Sequence, residues 1–142
     1  MKAPRIVIDT NVLVSALRSR RGCSFTVLSA VGSGLFEHVV TVPLVMEYES
    51  VLLRDGMVPL AAGAVGNVLD YLCAAGIRQD VHFLWRPKLP DAKDDMVLEA
   101  AVNGGCSMII SHNLRDFAAA SELGVNAITP VDFMQFLKGK SR

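Results

Sequence analysis

Short apolar runs rich in Val and Ile alternate with helical segments along most of the chain, and this alternation constrains the fold more than any other feature. Strands that are separated by helices favour an α/β fold with a mostly parallel central sheet covered by helices. The predicted strands are Arg5–Asp9, Phe36–Val42, a short strand within Ile77–Trp85, Ser107–Ser111 and Val125–Thr129.

The segments between these strands carry apolar residues at helical spacing, and Asn11 and Pro43 are favoured residues for the start of a helix. No repeat or domain boundary is visible, so we expect residues 1–142 to form one domain of ordinary size, with a frayed tail over residues 137–142. The predicted helices are Asn11–Arg18, Ser24–Val31, Pro43–Arg54, a segment after Pro59 that can break at Gly63 or Gly66, Asp91–Gly104 after its first few residues, and Pro130–Leu137.

Composition and charge narrow the class of protein. A hydrophobic content of 51% excludes a disordered chain. The formal net charge is zero, so overall charge gives no support for a nucleic-acid partner, and only local basic clusters can do so. The cysteines are three in number and far apart, with no CxxC pair, so neither a zinc site nor a disulfide framework is indicated.

Two features of the sequence bear on where in the cell the protein is located. Only the apolar run Ile6–Ile8 precedes Asp9, which is too short for the core of a signal peptide. The nearly uncharged stretch Val58–Ile77 contains Asp70 and much Ala and Gly, and its apolar residues fall on one helical face, so it predicts a soluble amphipathic helix rather than a membrane span. We therefore expect a cytoplasmic protein with no membrane partner.

Acidic residues lie where the pattern calls for an apolar side chain or where a strand ends: Asp9, Glu47, Asp94 and Asp116. Asp9 directly follows the first strand, and ligands of open α/β sheets bind outside the carboxyl ends of the strands. A carboxylate turned toward an apolar interior is costly unless something pairs with it. Several converging carboxylates would repel one another, so the pattern predicts a site for a divalent cation.

Two of these acidic residues also have ordinary structural explanations. Glu47 shares a helical face with Leu44 and Val51, and it can be a rim residue whose carboxylate reaches water. Asp116 follows a short loop after a strand, and it can cap the turn Ala118–Glu122. Both explanations stay open beside the functional one.

The acidic cluster at the start of the Asp91–Gly104 helix is similarly ambiguous. Asp94 precedes Val97 and Leu98, which continue its helical face, but an Asp at a helix start is ordinarily a cap or a partner of the helix dipole. Asp91 and Asp95 crowd the same turn, so one of the three can cap while another binds metal.

Polar and basic residues near the strand ends extend the predicted site. Ser111 and Asn113 follow a strand, where they can hydrogen-bond a water at the metal or serve as turn residues. Arg18, Arg20 and Arg21 lie just beyond the first helix, where they can contact phosphates or form a solvated basic loop.

Taken together, four segments in this order resemble the PIN-domain family of metal-dependent nucleases. The likeness is greatest to the prokaryotic branch of toxin components of toxin–antitoxin systems, related to VapC-type toxins. The segments that carry the resemblance are Ile6–Leu17, Val42–Tyr48, Asp91–Ala101 and Ile109–Phe117.

The resemblance implies a three-layer α/β/α fold and endonucleolytic cleavage of RNA. It implies that Asp9, Glu47 and Asp94 bind Mg²⁺ or Mn²⁺ as the catalytic ligands. Many family members have an Asp where this chain has Asn113, so the fourth acidic role would pass to Asp116. The residues expected to support these ligands are Thr10, Asn11, Ser111, Asn113 and Asp91.

Partners follow from the resemblance alone. It implies a homodimer, for which the Ala- and Gly-rich region Pro59–Gly76 is a candidate contact surface. It also implies an antitoxin protein, a segment of which would plug the acidic pocket.

Two other functions compete with the nuclease. A haloacid-dehalogenase-like phosphatase also begins with an apolar strand that ends in Asp, but it requires a second Asp where this chain has Asn11. A catalytically weak PIN-like domain that binds RNA or a protein is favoured by Asn113 and the neutral charge, whereas the acidic residues Asp9, Glu47 and Asp94 disfavour it.

Overall fold

The described residues, 3–82 and 92–140 of a computed structural model, contain a five-stranded, entirely parallel sheet. The strand order is β3-β2-β1-β4-β5, with β1 in the centre, and this confirms the predicted α/β class. The strands are β1 (Arg5–Ile8), β2 (Glu37–Val40), β3 (Ile77–Arg78), β4 (Met108–Ile110) and β5 (Asn126–Ile128).

Helices connect all of these strands in the described part of the chain. The connections β1 to β2 and β2 to β3 move in one direction across the sheet, and the chain then returns past β1 to form β4. Right-handed crossovers therefore place α1 and α5 on opposite faces, which gives the predicted three layers. The helices are α1 (Thr10–Arg18), α2 (Cys23–Ser29), α3 (Val42–Leu52), α4 (Ala62–Ala75), α5 (Ala92–Asn103), a 3-10 helix (Leu114–Leu123) and α6 (Pro130–Lys140).

The point where the strand order reverses lies between β1 and β4. In the parallel register Ile6 pairs with Met108 and Ile8 pairs with Ile110, so the two strands end side by side. The backbone N–H of Asp9 continues this ladder by donating to the carbonyl of Ile110 at 2.9 Å. Ligands of such folds bind in the crevice at this reversal, so the topology brings the residue after β1 to the expected position.

Several helix and strand limits differ from those predicted. β2 ends at Val40 rather than Val42, because Thr41 caps α3 by accepting the Leu44 N–H on its side-chain oxygen at 3.2 Å. α4 runs through Gly63 and Gly66 without a break. α6 continues to Lys140, so the segment predicted to fray from residue 137 is helical as far as its description extends. Part of the segment Ile77–Trp85 lies outside the described residues, and its observed strand is Ile77–Arg78.

The core of the described residues is apolar on both sides of the sheet. Ile6, Val7 and Ile109 are fully buried in the central strands. Phe36 meets Phe133 edge to face, with ring centroids 5.3 Å apart, and this contact joins the start of β2 to α6. Among the described residues, no helix is both long and apolar enough to cross a bilayer.

Glycines in and after α4 allow a test of this packing. A Cβ on Gly76 would lie 2.5 Å from Nε2 of His38. The His38 ring is buried and donates to the Leu72 carbonyl at 2.8 Å. We therefore expect Gly76→Ala to lower the free energy of unfolding by about 1 to 3 kcal/mol. A Cβ on Gly66 would meet nothing within 4 Å, so Gly66→Ala should raise it by about 0.5 to 1 kcal/mol. Urea unfolding of both variants measures the difference, and equal effects would contradict the packing described here.

Candidate active site

A cleft of about 650 Å³ opens at the carboxyl edge of the sheet. It lies among α1, α3, the start of α5 and the segment after β4, and it brings together the four acidic residues that the sequence singled out. It is lined by Asp9, Thr10, Asn11, Val14, Ser15, Arg18, Ser19, Glu47, Val51, Arg54, Met57, Asp94, Asn113 and Asp116.

Asp9 forms the floor of the cleft, because it is both the residue after β1 and the N-cap of α1. Only 6% of the residue is exposed. One carboxylate oxygen accepts the Thr10 N–H at 2.8 Å, and the other accepts the Ser111 hydroxyl at 2.7 Å. Both oxygens are thus fixed by partners from the two strand ends that flank the reversal point, and each keeps further lone pairs for a ligand.

The ionisation of Asp9 is governed mainly by its burial. Removal from water raises the pKa of the Asp9 carboxyl, and the negative charge of Asp116 raises it further. The hydrogen bonds from Ser111 and Thr10 and the charge of His112 lower the same pKa, but they do not outweigh burial. The like charge of Asp116 therefore contributes less to the raised pKa of Asp9 than desolvation does.

Ser111 is the centre of the hydrogen-bond network behind Asp9. Its hydroxyl donates to Asp9 and accepts from the Asn113 backbone N–H at 3.0 Å and from Asn11 Nδ2 at 3.4 Å. Asn11 Oδ1 in turn accepts the His112 backbone N–H at 3.2 Å. Asn11 and Asn113 are therefore bonded to Ser111, and Ser111 acts on the carboxylate itself rather than as a turn residue alone.

Two hydrogen bonds near this network involve residues that the sequence did not single out. The fully buried Tyr48 donates its hydroxyl to the carbonyl of Ile8, the last residue of β1, and burial raises the pKa of Tyr48 well above its ordinary value. The buried Ser24 of α2 is hydrogen-bonded to Nε2 of His112 at 2.8 Å. The only sign of the Tyr48 contact in the sequence was the presence of a Tyr next to Glu47, because a buried Tyr hydroxyl needs a hydrogen-bond partner. Nothing in the sequence indicated the second.

The acidic residues on the other elements occupy different depths. Asp94 is half-buried and lines the cleft from the first turn of α5, whereas Asp95 is fully buried and does not line it. Asp116 is half-buried in the first turn of the 3-10 helix, where its backbone N–H donates to the Asn113 carbonyl at 3.2 Å. Asp91 lies outside the described residues.

Helical spacing explains part of the α3 side of the cleft. Glu47 and Val51 lie at i and i+4 along α3, and Arg54 lies just past the end of this helix. Arg54 was not predicted from the sequence, whereas Arg18 was, and both line the cleft. Arg18 is held in place because its Nε donates to the Met57 carbonyl at 2.6 Å.

The other two predicted basic residues lie elsewhere. Arg20 and Arg21 are exposed in the turn between α1 and α2, and they are not among the described residues that line the cleft. Their position leaves Arg18 and Arg54 as the cationic side chains of the cleft in the described part of the chain.

The donor chemistry of the cleft fits a hard divalent cation. Carboxylate, amide and hydroxyl oxygens line it, with no Cys or His among its described lining residues, and such oxygens are the ligands that Mg²⁺ prefers. No group of three His, Cys, Asp or Glu side chains in the described residues could by itself hold an ion. Mg²⁺ usually takes one or two carboxylates and keeps several waters. Asp9 and Asp116 both line the cleft, and the charge of Asp116 raises the pKa of Asp9, in keeping with a site of this water-rich kind.

Comparison with known proteins identifies both a family and a fold. The sequence model of the PIN domain matches residues 5–115. A chain in the crystal structure of VapBC2 from Rickettsia felis, bound to a DNA fragment from its promoter, superposes with a TM-score of 0.61 over 88% of this chain and 98% of that one. The sequence identity is 10%, so this likeness concerns the fold alone. No curated protein gives a significant match.

The burial of Asp9 predicts a pH-dependent effect on stability. Because its pKa is raised on folding, the ionised carboxylate destabilises the folded state at neutral pH, and this penalty declines as the pH falls through the pKa of folded Asp9. We expect Asp9→Asn to melt at a higher temperature than the wild type at neutral pH, with the gain lost on acidification.

Thermal unfolding at neutral and mildly acidic pH tests this expectation. The matched control is Asp55→Asn, which removes an exposed carboxylate outside the cleft lining and should leave the melting temperature nearly unchanged. A lower melting temperature for Asp9→Asn at neutral pH would contradict the assignment of burial as the main cause.

Proposed function

The chain belongs to the PIN-domain family, and from this premise we propose that it is a divalent-metal-dependent endoribonuclease that hydrolyses phosphodiester bonds of RNA. The observation that carries the proposal is the convergence of Asp9, Glu47, Asp94 and Asp116 on one open cleft at the strand-order reversal. These residues come from four separate segments of the chain, and a purely structural role for each does not explain why they share a cleft.

The proposed chemistry assigns a role to each acidic residue. A bound Mg²⁺ or Mn²⁺ supplies an activated water and charge stabilisation at the phosphate. Asp9 and Asp94 act as direct ligands, and Glu47 is a further ligand or the base that orients the attacking water. Asp116 would hold a water or a second ion, in keeping with the influence of its charge on the Asp9 pKa.

The surrounding polar residues keep the floor of the cleft in one geometry. Ser111 and Thr10 fix the two oxygens of Asp9, while Asn11 and Asn113 fix Ser111. The Tyr48 hydroxyl donates a hydrogen bond to the carbonyl of Ile8, the last residue of β1. A positioned carboxylate lowers the cost of organising the site during the reaction, because its orientation is already set before substrate arrives.

We further propose that the protein acts in the cytoplasm as the toxin of a toxin–antitoxin pair. The VapBC2 complex shares this fold, and a cleft with four acidic residues suits a basic side chain of an antitoxin that would block it. A homodimer through the region of residues 59–76 remains part of the proposal, in which the exposed Leu60 and Tyr71 provide apolar surface.

One alternative keeps support from a specific observation. A PIN-like domain that binds RNA or protein without cutting it would suit Asn113 in place of an acidic residue and the lack, among the described residues, of a preformed group of three ligands. The phosphatase is not proposed, because the chain belongs to a different family.

Cleavage of labelled RNA tests the proposal directly. With Mn²⁺ or Mg²⁺ we expect the wild type to cut single-stranded or structured RNA, and EDTA should stop it. Asp9→Asn should lower the rate by at least about a hundredfold, since it removes a direct ligand, while Asp55→Asn should cut normally. Full activity of Asp9→Asn would refute the assignment, and metal binding without cutting by the wild type would favour the binding module.

Whether Asp116 supplies the fourth carboxylate of the site can be tested separately. Asn113 and Asp116 both line the cleft, so Asp116→Asn should weaken Mn²⁺ binding by roughly tenfold or more. Adding Asn113→Asp to that variant should restore part of the loss by supplying a carboxylate from the same loop. Calorimetric titration with Mn²⁺ measures both effects, and unchanged affinity in Asp116→Asn would show that the site uses three carboxylates.

A further inference from the structure

Two arginines line the same cleft as the acidic residues, one at the last residue of α1 and one just past the end of α3. Arg18 is eight residues beyond Thr10 along α1, a rise of about 12 Å. Arg54 is seven residues beyond Glu47 and lies just past the end of α3. The lining of the cleft therefore combines acidic side chains with two basic ones.

The positive charge of this pair is not neutralised within the described residues. The one ion pair there joins Arg5 to Glu37, so no described carboxylate lies within 4.0 Å of the Arg18 or Arg54 guanidinium. The Arg54 side chain makes no hydrogen bond in the described part of the chain, and Arg18 uses its Nε and Nη2 atoms on Met57. Nη1 of Arg18 and the whole guanidinium of Arg54 are therefore available to an external anion.

Met57 gives Arg18 a defined position although the side chain is exposed. Its carbonyl accepts from Nε at 2.6 Å, and its sulfur lies 3.7 Å from Nη2. A guanidinium that is already oriented loses less conformational freedom when it binds a ligand. The remaining N–H donors form a planar edge that matches the oxygens of a phosphate.

We propose that Arg18 and Arg54 form a phosphate-binding pair that holds the RNA backbone in the cleft beside the acidic residues, and this inference rests on the proposed function. The acidic floor repels a polyanion, so it cannot itself retain RNA before metal compensates its charge. The net charge of the chain is zero, so no general attraction replaces a local one. The arginine pair thus supplies affinity, while the acidic residues supply the chemistry.

Arg20 and Arg21 provide a control of equal charge. They lie close to Arg18 in sequence but are exposed outside the cleft lining. The double variants Arg18→Gln/Arg54→Gln and Arg20→Gln/Arg21→Gln each remove two positive charges. They differ in whether the lost charges face the cleft, and the cleft variant also loses the contacts of Arg18 with Met57.

The test is the affinity of each protein for a short fluorescent single-stranded RNA, measured by anisotropy in EDTA over a series of KCl concentrations. The cleft double variant should bind roughly tenfold or more weakly than the wild type. Its slope of log affinity against log salt should be less steep by about 0.7 per lost phosphate contact, or about 1.4 in total. The control double variant should retain most of the affinity. The single variant Arg54→Gln keeps the Arg18 contact with Met57, so it tests the contribution of Arg54 without that loss. Thermal unfolding checks that each variant is folded.

Each outcome separates this inference from the proposed function. Equal losses in both double variants, or no loss in either, would overturn the pair even if the wild type cuts RNA. Weakened binding in the cleft variant, with no cutting by the wild type in any metal, would support the pair and refute the nuclease. If the wild type cuts RNA but binds too weakly to measure in EDTA, an increase in KM confined to the cleft variant supports the pair, and an unchanged KM overturns it. No binding and no cutting by the wild type would overturn both.

Discussion

The carboxylate of Asp9 at the end of the central strand is the feature on which the rest of the site depends. β1 has parallel neighbours on both sides, and the chain reverses its direction across the sheet between β1 and β4. Asp9 is held by Thr10 on its own side of that point and by Ser111 on the other. Both hydrogen bonds therefore orient the carboxylate, and the one from Ser111 also joins the ends of β1 and β4. Every other element of the cleft is positioned relative to this junction.

The ionised form of the Asp9 carboxylate destabilises the folded state. Burial raises the pKa of Asp9 even though two hydrogen bonds act in the opposite direction. A satisfied polar network in a poorly solvated region is rigid, and it costs much less than an unpaired one. The network of Ser111, Asn11 and Asn113 can thus be understood as the compensation that a buried carboxylate requires. Stability given up at a functional site for the sake of activity is common among enzymes.

Sequence patterns predicted the parts of this arrangement that depend on local periodicity. The apolar run before Asp9 located the first strand, and the face shared with Val51 directed Glu47 toward the cleft. Contacts between distant segments were beyond such reasoning. Arg54 reaches the cleft because α3 packs beside α1, and Ser24 meets His112 across 88 positions. Whether Asp94 or Asp95 lines the cleft likewise depends on how α5 is rotated against its neighbours, which residue preferences at helix caps do not determine.

The most direct test of the account is the location of a bound Mn²⁺ ion by paramagnetic broadening of backbone amide NMR signals. A metal held by the acidic cleft should broaden the amides of Thr10, Asn11 and Asp116 first, well before those of exposed residues far from the carboxyl edge of the sheet. In Asp9→Asn this selective broadening should require much more Mn²⁺. Broadening centred away from these amides, or unchanged by the substitution, would contradict the claim that the four acidic residues form a metal site around Asp9.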